Sequence, residues 1–118
     1  MSTNQRMADA HEQFLVDLFG GRRTRGSGNQ WTNPMDGRTS RMKEPFGFAW
    51  DGKATLGGSI GVSRAMWAKA VEQAEGERPM LGLRYYENER LDVRYDLVVV
   101  SAYDMSEVLS SLRGVERR

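Results

Sequence analysis

The sequence predicts a small α/β or α+β domain in which helices flank a central mixed β-sheet. Two kinds of hydrophobic spacing support this fold class. Residues 46–51 alternate apolar and small or polar side chains as a strand does, and one-faced helical spacing occurs before and after them. The 118 residues suffice for one domain. We therefore predict a single domain over 1–118 with flexible ends at 1–6 and 114–118.

The first predicted element is a helix over Ala8–Phe19. Gly20-Gly21 supplies a stop signal at its end. The next segment, 22–45, is rich in Arg, Gly, Ser, Asn and Pro and is predicted as a loop, with a short strand around Gln30–Thr32. The helix has an apolar side formed by Met7, His11, Phe14, Leu15 and Leu18.

The middle of the chain is predicted as strand, strand and helix. In the first strand Phe46, Phe48 and Trp50 point to one side, where they anchor it in the core. A second short strand is expected at Ser59–Val62. Ser63 then caps a helix from Arg64 to about Glu75. Its predicted inward residues are Met66, Trp67, Ala70, Val71 and Ala74.

Two strands and a helix are predicted for the rest of the chain. The strands are Met80–Tyr86 and Val93–Val100, joined by a turn at 87–90. The apolar run Leu97–Val100 is typical of a buried strand. Asp104–Glu107 has the pattern of a capping box that opens a helix through Leu112.

Composition excludes several kinds of chemistry. The chain has no cysteine, which rules out disulfides, thiolate zinc sites and cysteine nucleophiles. His11 is its one histidine, and we expect a buried histidine rather than a metal ligand. Catalysis must therefore depend on carboxylates, lysine, arginine or hydroxyls. The sequence has no apolar run of about 18 residues and no signal-peptide pattern at its start, which predicts a cytoplasmic protein without a membrane span.

Basic residues are concentrated in the loop segment, where Asp36 is the single acid between Arg22 and Lys43. Such a segment predicts an anionic partner, although a solvated loop is the alternative. Guanidinium groups and the Gly26-Ser27-Gly28 backbone can bind phosphates without reading base sequence. The predicted binding residues are Arg22, Arg23, Arg25, Ser27, Arg38, Arg41 and Lys43.

The chemistry is centred on Asp51 and Lys53, which point to the same side of the predicted strand. With Asp36 from the loop, the two carboxylates suit Mg²⁺, a cation that prefers oxygen ligands. Lys53 would stabilise charge on a phosphate or position the attacking water. Glu12, beside the apolar side of the first helix, is a further candidate ligand. The alternatives are an incidental Asp51–Lys53 ion pair, an Asp36-Gly37 turn and a solvated Glu12.

These residues resemble the signature of the PD-(D/E)XK nuclease superfamily, an acid followed later by Asp or Glu, any residue and Lys. The order of Glu12, Arg25–Gly28, Asp36 and Asp51-Gly52-Lys53 is similar to the Holliday junction resolvase branch and its phage members. Stretches of 53–69 and 73–79 add to the resemblance, which spans roughly 8–86. The accessory candidates are Thr55 and Gln73.

The resemblance implies a restriction-endonuclease-like core, dependence on Mg²⁺ or Mn²⁺, and a homodimer that cuts branched DNA in a bacterial or phage-infected cell. Two departures from the pattern exist. Asp51 stands where glutamate is more frequent, and Gly37-Arg38 follows Asp36 instead of apolar strand residues. The role expected of Asp36 is therefore also open to Asp9, Asp17 or Glu44.

The sequence thus predicts a metal-dependent DNA endonuclease, structure-selective on branched DNA. A nicking or repair endonuclease on duplex DNA would use the same residues. A module that binds nucleic acid through its arginine-rich loop, without catalysis, is the alternative outside enzymes.

Overall fold

The computed structural model of the chain describes residues 2–19, 22–23, 35–38 and 47–116. Within these residues no helix is long and apolar enough to cross a membrane. The elements in chain order are α1 (Thr3–Phe19), β1 (Arg22–Arg23), β2 (Gly37–Arg38), β3 (Phe48–Thr55), α2 (Arg64–Gln73), β4 (Arg78–Tyr86), β5 (Val93–Val100) and α3 (Ala102–Glu116).

The five strands form one sheet in the order β1-β2-β3-β4-β5. β3 and β4 are parallel, and α2 connects them, whereas the other neighbours are antiparallel. The prediction of an α+β domain with a mixed sheet is therefore confirmed. Most of the sheet lies in β3, β4 and β5, since β1 and β2 are two residues long.

Helix α1 packs on one face of the sheet. Leu15 from α1, Trp50 from β3 and Met80 from β4 form a buried apolar cluster there. A Cβ on Gly82 would lie 2.9 Å from a methyl carbon of Leu15, so a glycine at this position lets helix and strand approach closely. The prediction that Phe48 and Trp50 point into the core is confirmed, because both contribute to this cluster.

Helix α2 packs on the opposite face. Ala70 joins Leu81 and Leu83 in a second cluster, and the backbone N–H of Met66 donates to the Ser63 hydroxyl at 3.0 Å, as the predicted cap requires. Helices thus cover both faces of β3 and β4. One predicted inward residue was wrong, because Val71 is 51% exposed.

The N-terminal helix begins earlier than predicted. The Ser2 hydroxyl accepts the N–H of Gln5 at 3.1 Å, and the Ser2 carbonyl accepts the N–H of Arg6 at 3.0 Å. These two bonds start the helix at Thr3, so residues 3–6 are helical rather than frayed. The predicted inward direction of Leu18 was also wrong, since its side chain is 60% exposed.

Three predictions for the first half need correction or fall outside the described residues. The segment Ser59–Val62 forms no strand, and its residues are exposed or only half-buried. Strands β1 and β2 were not predicted. The strand expected around Gln30–Thr32, and Phe46 as an anchor, lie outside the residues that the structure describes.

The C-terminal third follows the predicted order with two differences. β5 has the predicted bounds, but Leu97 and Val98 are 50% and 45% exposed, so the expectation of a buried run was wrong there. Helix α3 begins after Ser101, whose hydroxyl accepts the N–H of Tyr103, and not at Asp104. It continues to Glu116, so residues 114–116 are helical rather than a tail.

Candidate active site

Strand β3 positions an aspartate and a lysine side by side. The Asp51 carboxylate lies 3.2 Å from the Lys53 ammonium, and their side chains are 24% and 41% exposed. The preceding Trp50 is fully buried, which fixes the strand just before the pair. The geometry expected from strand alternation is therefore present.

Asp36 reaches the same strand from the chain segment just before β2. Its Oδ2 accepts the backbone N–H of Gly52 at 2.7 Å. The adjacent Gly37 pairs with Trp50, and a Cβ on Gly37 would lie 2.0 Å from the Trp50 ring. Only glycine allows this contact, and the contact holds Asp36 beside Asp51.

The two carboxyl groups interact directly. Burial, the negative charge of Asp36 and a hydrogen bond with Asp36 raise the pKa of Asp51 to about 6, against a smaller lowering effect of Lys53. Two carboxylates this close disfavour double ionisation. Asp51 therefore keeps its proton in mildly acidic solution, where an exposed aspartate would be ionised.

This donor set fits a hard divalent cation. Asp36 and Asp51 offer carboxylate oxygens, the ligands that Mg²⁺ and Mn²⁺ prefer, and they contact each other next to the Lys53 ammonium. Among the described residues, no three acidic or histidine side chains are close enough to surround one ion. Two protein ligands with several waters suit Mg²⁺.

Glu12 lies on the other side of β3. It lines a small pocket of about 110 Å³ together with His11, Gly52 and Ala54. Gly52 faces α1, since its Cβ would lie 2.9 Å from the His11 ring, and neighbouring strand residues face the opposite side. The structure thus places Glu12 near the backbone of the site but does not group it with the two aspartates.

The two accessory candidates have backbone contacts near the site. The Thr55 hydroxyl accepts the N–H of Gly57 at 2.9 Å and so closes the turn after β3. The Gln73 carbonyl accepts from Arg38 at 3.3 Å. The Arg38 guanidinium also donates to Ala74 O and pairs with Glu77 at 2.9 Å, so it stabilises the C-terminal end of α2.

Much of the predicted phosphate-binding loop lies outside the described residues. The structure describes Arg22 and Arg23 only as the backbone of β1. Among the alternatives to Asp36, Asp17 is exposed and accepts from Gln13 at 2.9 Å, and Asp9 is half-buried on α1. The residues outside are Arg25, Ser27, Arg41, Lys43 and Glu44.

Sequence reasoning missed one supporting residue of the site. Gly52 donates its N–H to Asp36, and a glycine inside a strand pattern, a usual sign of close backbone approach, could have indicated this role. The prediction that His11 is buried is confirmed, since it is 2% exposed and its Nε2–H donates to the Gly82 carbonyl at 2.9 Å. Burial lowers the pKa of His11, so this histidine is a neutral core residue beside the site.

Comparisons with protein-family models, curated proteins and solved structures gave no match.

Proposed function

We propose that this chain is a metal-dependent endonuclease that hydrolyses phosphodiester bonds of DNA. The observation that carries the proposal is the contact of Asp36 with Asp51, next to the Lys53 ammonium. Carboxylates that converge from two segments can hold a divalent metal ion, and an adjacent lysine can stabilise the charge that develops on a phosphodiester. Without cysteine and with a buried histidine, the chain has few other groups for hydrolysis.

Asp36 and Asp51 would hold the ion, Mg²⁺ or Mn²⁺. Bound there, such an ion lowers the pKa of a coordinated water and neutralises charge on the phosphate. Lys53 is close enough to Asp51 to reach the same phosphate, where its ammonium stabilises the additional negative charge of the transition state. Gly52 keeps Asp36 oriented through its backbone N–H.

The fold supports the same proposal. The resemblance to the PD-(D/E)XK nucleases implies a mixed sheet flanked by helices. In this chain Asp36 directly precedes β2, Asp51 lies in β3, and α1 and α2 cover opposite faces. A restriction-endonuclease-like core is therefore part of the proposal.

The finer proposal is a homodimer that resolves branched DNA in the cytoplasm of a bacterial or phage-infected cell. A four-way junction has approximate two-fold symmetry, so a symmetric dimer can present one site to each of two strands. Phosphates would be bound through the arginine-rich segment, a contact that gives affinity and salt dependence but no base preference.

Cleavage of defined DNA substrates tests the proposal. A four-way junction, a nicked duplex and a plain duplex are incubated with the wild-type chain in Mg²⁺, Mn²⁺ or EDTA. We expect cutting of the junction with either metal and none in EDTA. Preferential cutting of duplexes would support a nicking or repair enzyme instead.

Matched variants separate catalysis from binding. Asp51→Asn and Lys53→Met should still shift the junction in a gel but lose cutting by at least about 100-fold. Glu89→Gln removes an exposed carboxylate in the turn before β5 and should cut normally. DNA binding without cleavage by the wild type, in all metals, would refute the enzyme and leave the binding module.

A further inference from the structure

Strand β5 forms an apolar edge of the sheet. Among the described strands its one neighbour is β4. Tyr95, Leu97 and Val98 are 55%, 50% and 45% exposed, and they point to both faces of the sheet. Unpaired edges with apolar side chains invite pairing with another strand, and proteins usually protect them.

Among the described residues, the apolar clusters of α1 and α2 reach only the end of β5. Val99 and Val100, at the end of β5, pack against the α2 and α1 clusters. The preceding part of β5, from Val93 to Val98, is exposed. No residue of α3 belongs to the apolar clusters of the described chain.

Helix α3 has exposed apolar residues of its own. Met105, Leu109 and Leu112 follow helical spacing on one side and are 39%, 47% and 56% exposed. A 15-residue helix is only marginally stable in water without packing of its apolar side.

The sequence of the exposed part of β5 is complementary to itself. Val93-Arg94-Tyr95-Asp96-Leu97 has an aromatic residue at its centre, opposite charges on either side and apolar residues at the ends. We propose that β5 pairs antiparallel with β5 of a second copy of this chain, around a two-fold axis at Tyr95. In this register Arg94 faces the Asp96 position of the second copy, Val93 faces Leu97, and the Tyr95 side chains meet.

Charge selects this register over its neighbours. A two-fold axis at Arg94 would bring two arginines together, and an axis at Asp96 would bring two aspartates together, which destabilises antiparallel pairs. Arg94 contacts Glu87 at 3.9 Å, with both side chains more than half exposed, and its guanidinium carbon lies 5.5 Å from the centroid of the Tyr95 ring. Exposed contacts of this kind contribute little, so the pairing can replace them. Asp96 is oriented by Arg84, whose Nε donates to it at 2.7 Å.

The inference does not depend on the proposed nuclease activity, because assembly is measured without DNA or metal. Sedimentation of the full chain should show a dimer. Tyr95→Cys places a single thiol on the axis of a chain that has no cysteine, and mild oxidation should link two copies rapidly. Val71→Cys is the control, since Val71 is similarly exposed on α2. A monomer, or equally slow linking of both variants, would overturn the proposal.

Charge reversal tests the register itself. Arg94→Asp places a carboxylate opposite Asp96 at both ends of the pairing and should raise the Kd of the dimer by about ten-fold or more. Arg94→Lys keeps the positive charge and should associate as the wild type does. Neither change touches Asp96, which the buried Arg84 requires as its partner, and circular dichroism verifies that each variant is folded. A dimer that Arg94→Asp does not weaken, or that Arg94→Lys weakens equally, would exclude this register and assign the contact to another surface.

Discussion

Replacement of Asp51 by asparagine should stabilise the folded chain at neutral pH. Folding raises the pKa of Asp51 from 3.8 to about 6, because the carboxyl is buried beside Asp36. The folded state therefore binds a proton more tightly than the unfolded state. The corresponding stability is fully present below pH 3.8 and is lost as the pH rises through about 6.

The size of the effect follows from this difference. At about 1.4 kcal/mol per pK unit, ionised Asp51 costs the fold about 3 kcal/mol relative to its protonated form, and this figure already includes the attraction of Lys53. Asparagine imitates the protonated form and can donate to Asp36. We expect a gain of about 2 kcal/mol above pH 7, because the partly exposed carboxylate keeps some of its hydration.

Urea unfolding followed by tryptophan fluorescence measures this gain. Wild type, Asp51→Asn and the control Glu89→Gln are compared in EDTA at about pH 8 and about pH 4. The free energy of unfolding should favour Asp51→Asn at the higher pH, and the gain should nearly vanish at the lower. An Asp51→Asn chain that is no more stable than the wild type at pH 8 would refute the reasoning about the carboxylate pair.

Three further predictions concern the surroundings of the site. Asp36→Asn should lower the pKa of Asp51, because it removes a charge that raises it, and a carbon NMR titration of the Asp51 carboxyl measures this. Gly37→Ala should destabilise the fold by about 3 kcal/mol in urea unfolding, since its Cβ would overlap the Trp50 ring. Arg84→Met should cost about 3 kcal/mol by calorimetry, because it leaves Asp96 without the guanidinium that binds both its oxygens; an unchanged Tm would contradict this.

The parts of the fold that the sequence predicts correctly are those with long, regular patterns. The alternation around Trp50 is a period-two signal, the apolar run within Val93–Val100 is typical of a strand inside a sheet, and both segments are strands. Strands β1 and β2 are two residues long, too short for any periodicity to indicate. Their existence depends on the tertiary contact of Gly37 with Trp50, which no local pattern contains.

The site was predictable to a similar degree. Strand alternation alone places Asp51 and Lys53 on one side, and the structure has them in contact. Asp36 joins Asp51 and Lys53 because β2 pairs with β3 and because Gly52 donates its N–H to Asp36. Both contacts are tertiary, so local sequence patterns do not predict them. The start of α3 could not be predicted from local sequence either. Ser101 and Asp104 are both suitable N-cap residues, and the helix starts after Ser101, directly after the end of β5 at Val100.

The exposure of residues in β5 that the sequence predicts to be buried has a physical meaning. Leu97 and Val98 have the composition of a buried strand, yet in a single copy about half of each side chain is exposed. Leaving half of such a side chain in water forfeits about half of the roughly 1.5–3 kcal/mol that its full burial contributes. Surface strands more often alternate apolar and polar residues than expose apolar residues on both faces. The pattern is therefore that of a strand inside a sheet, and pairing with a second copy around Tyr95 would make β5 such a strand.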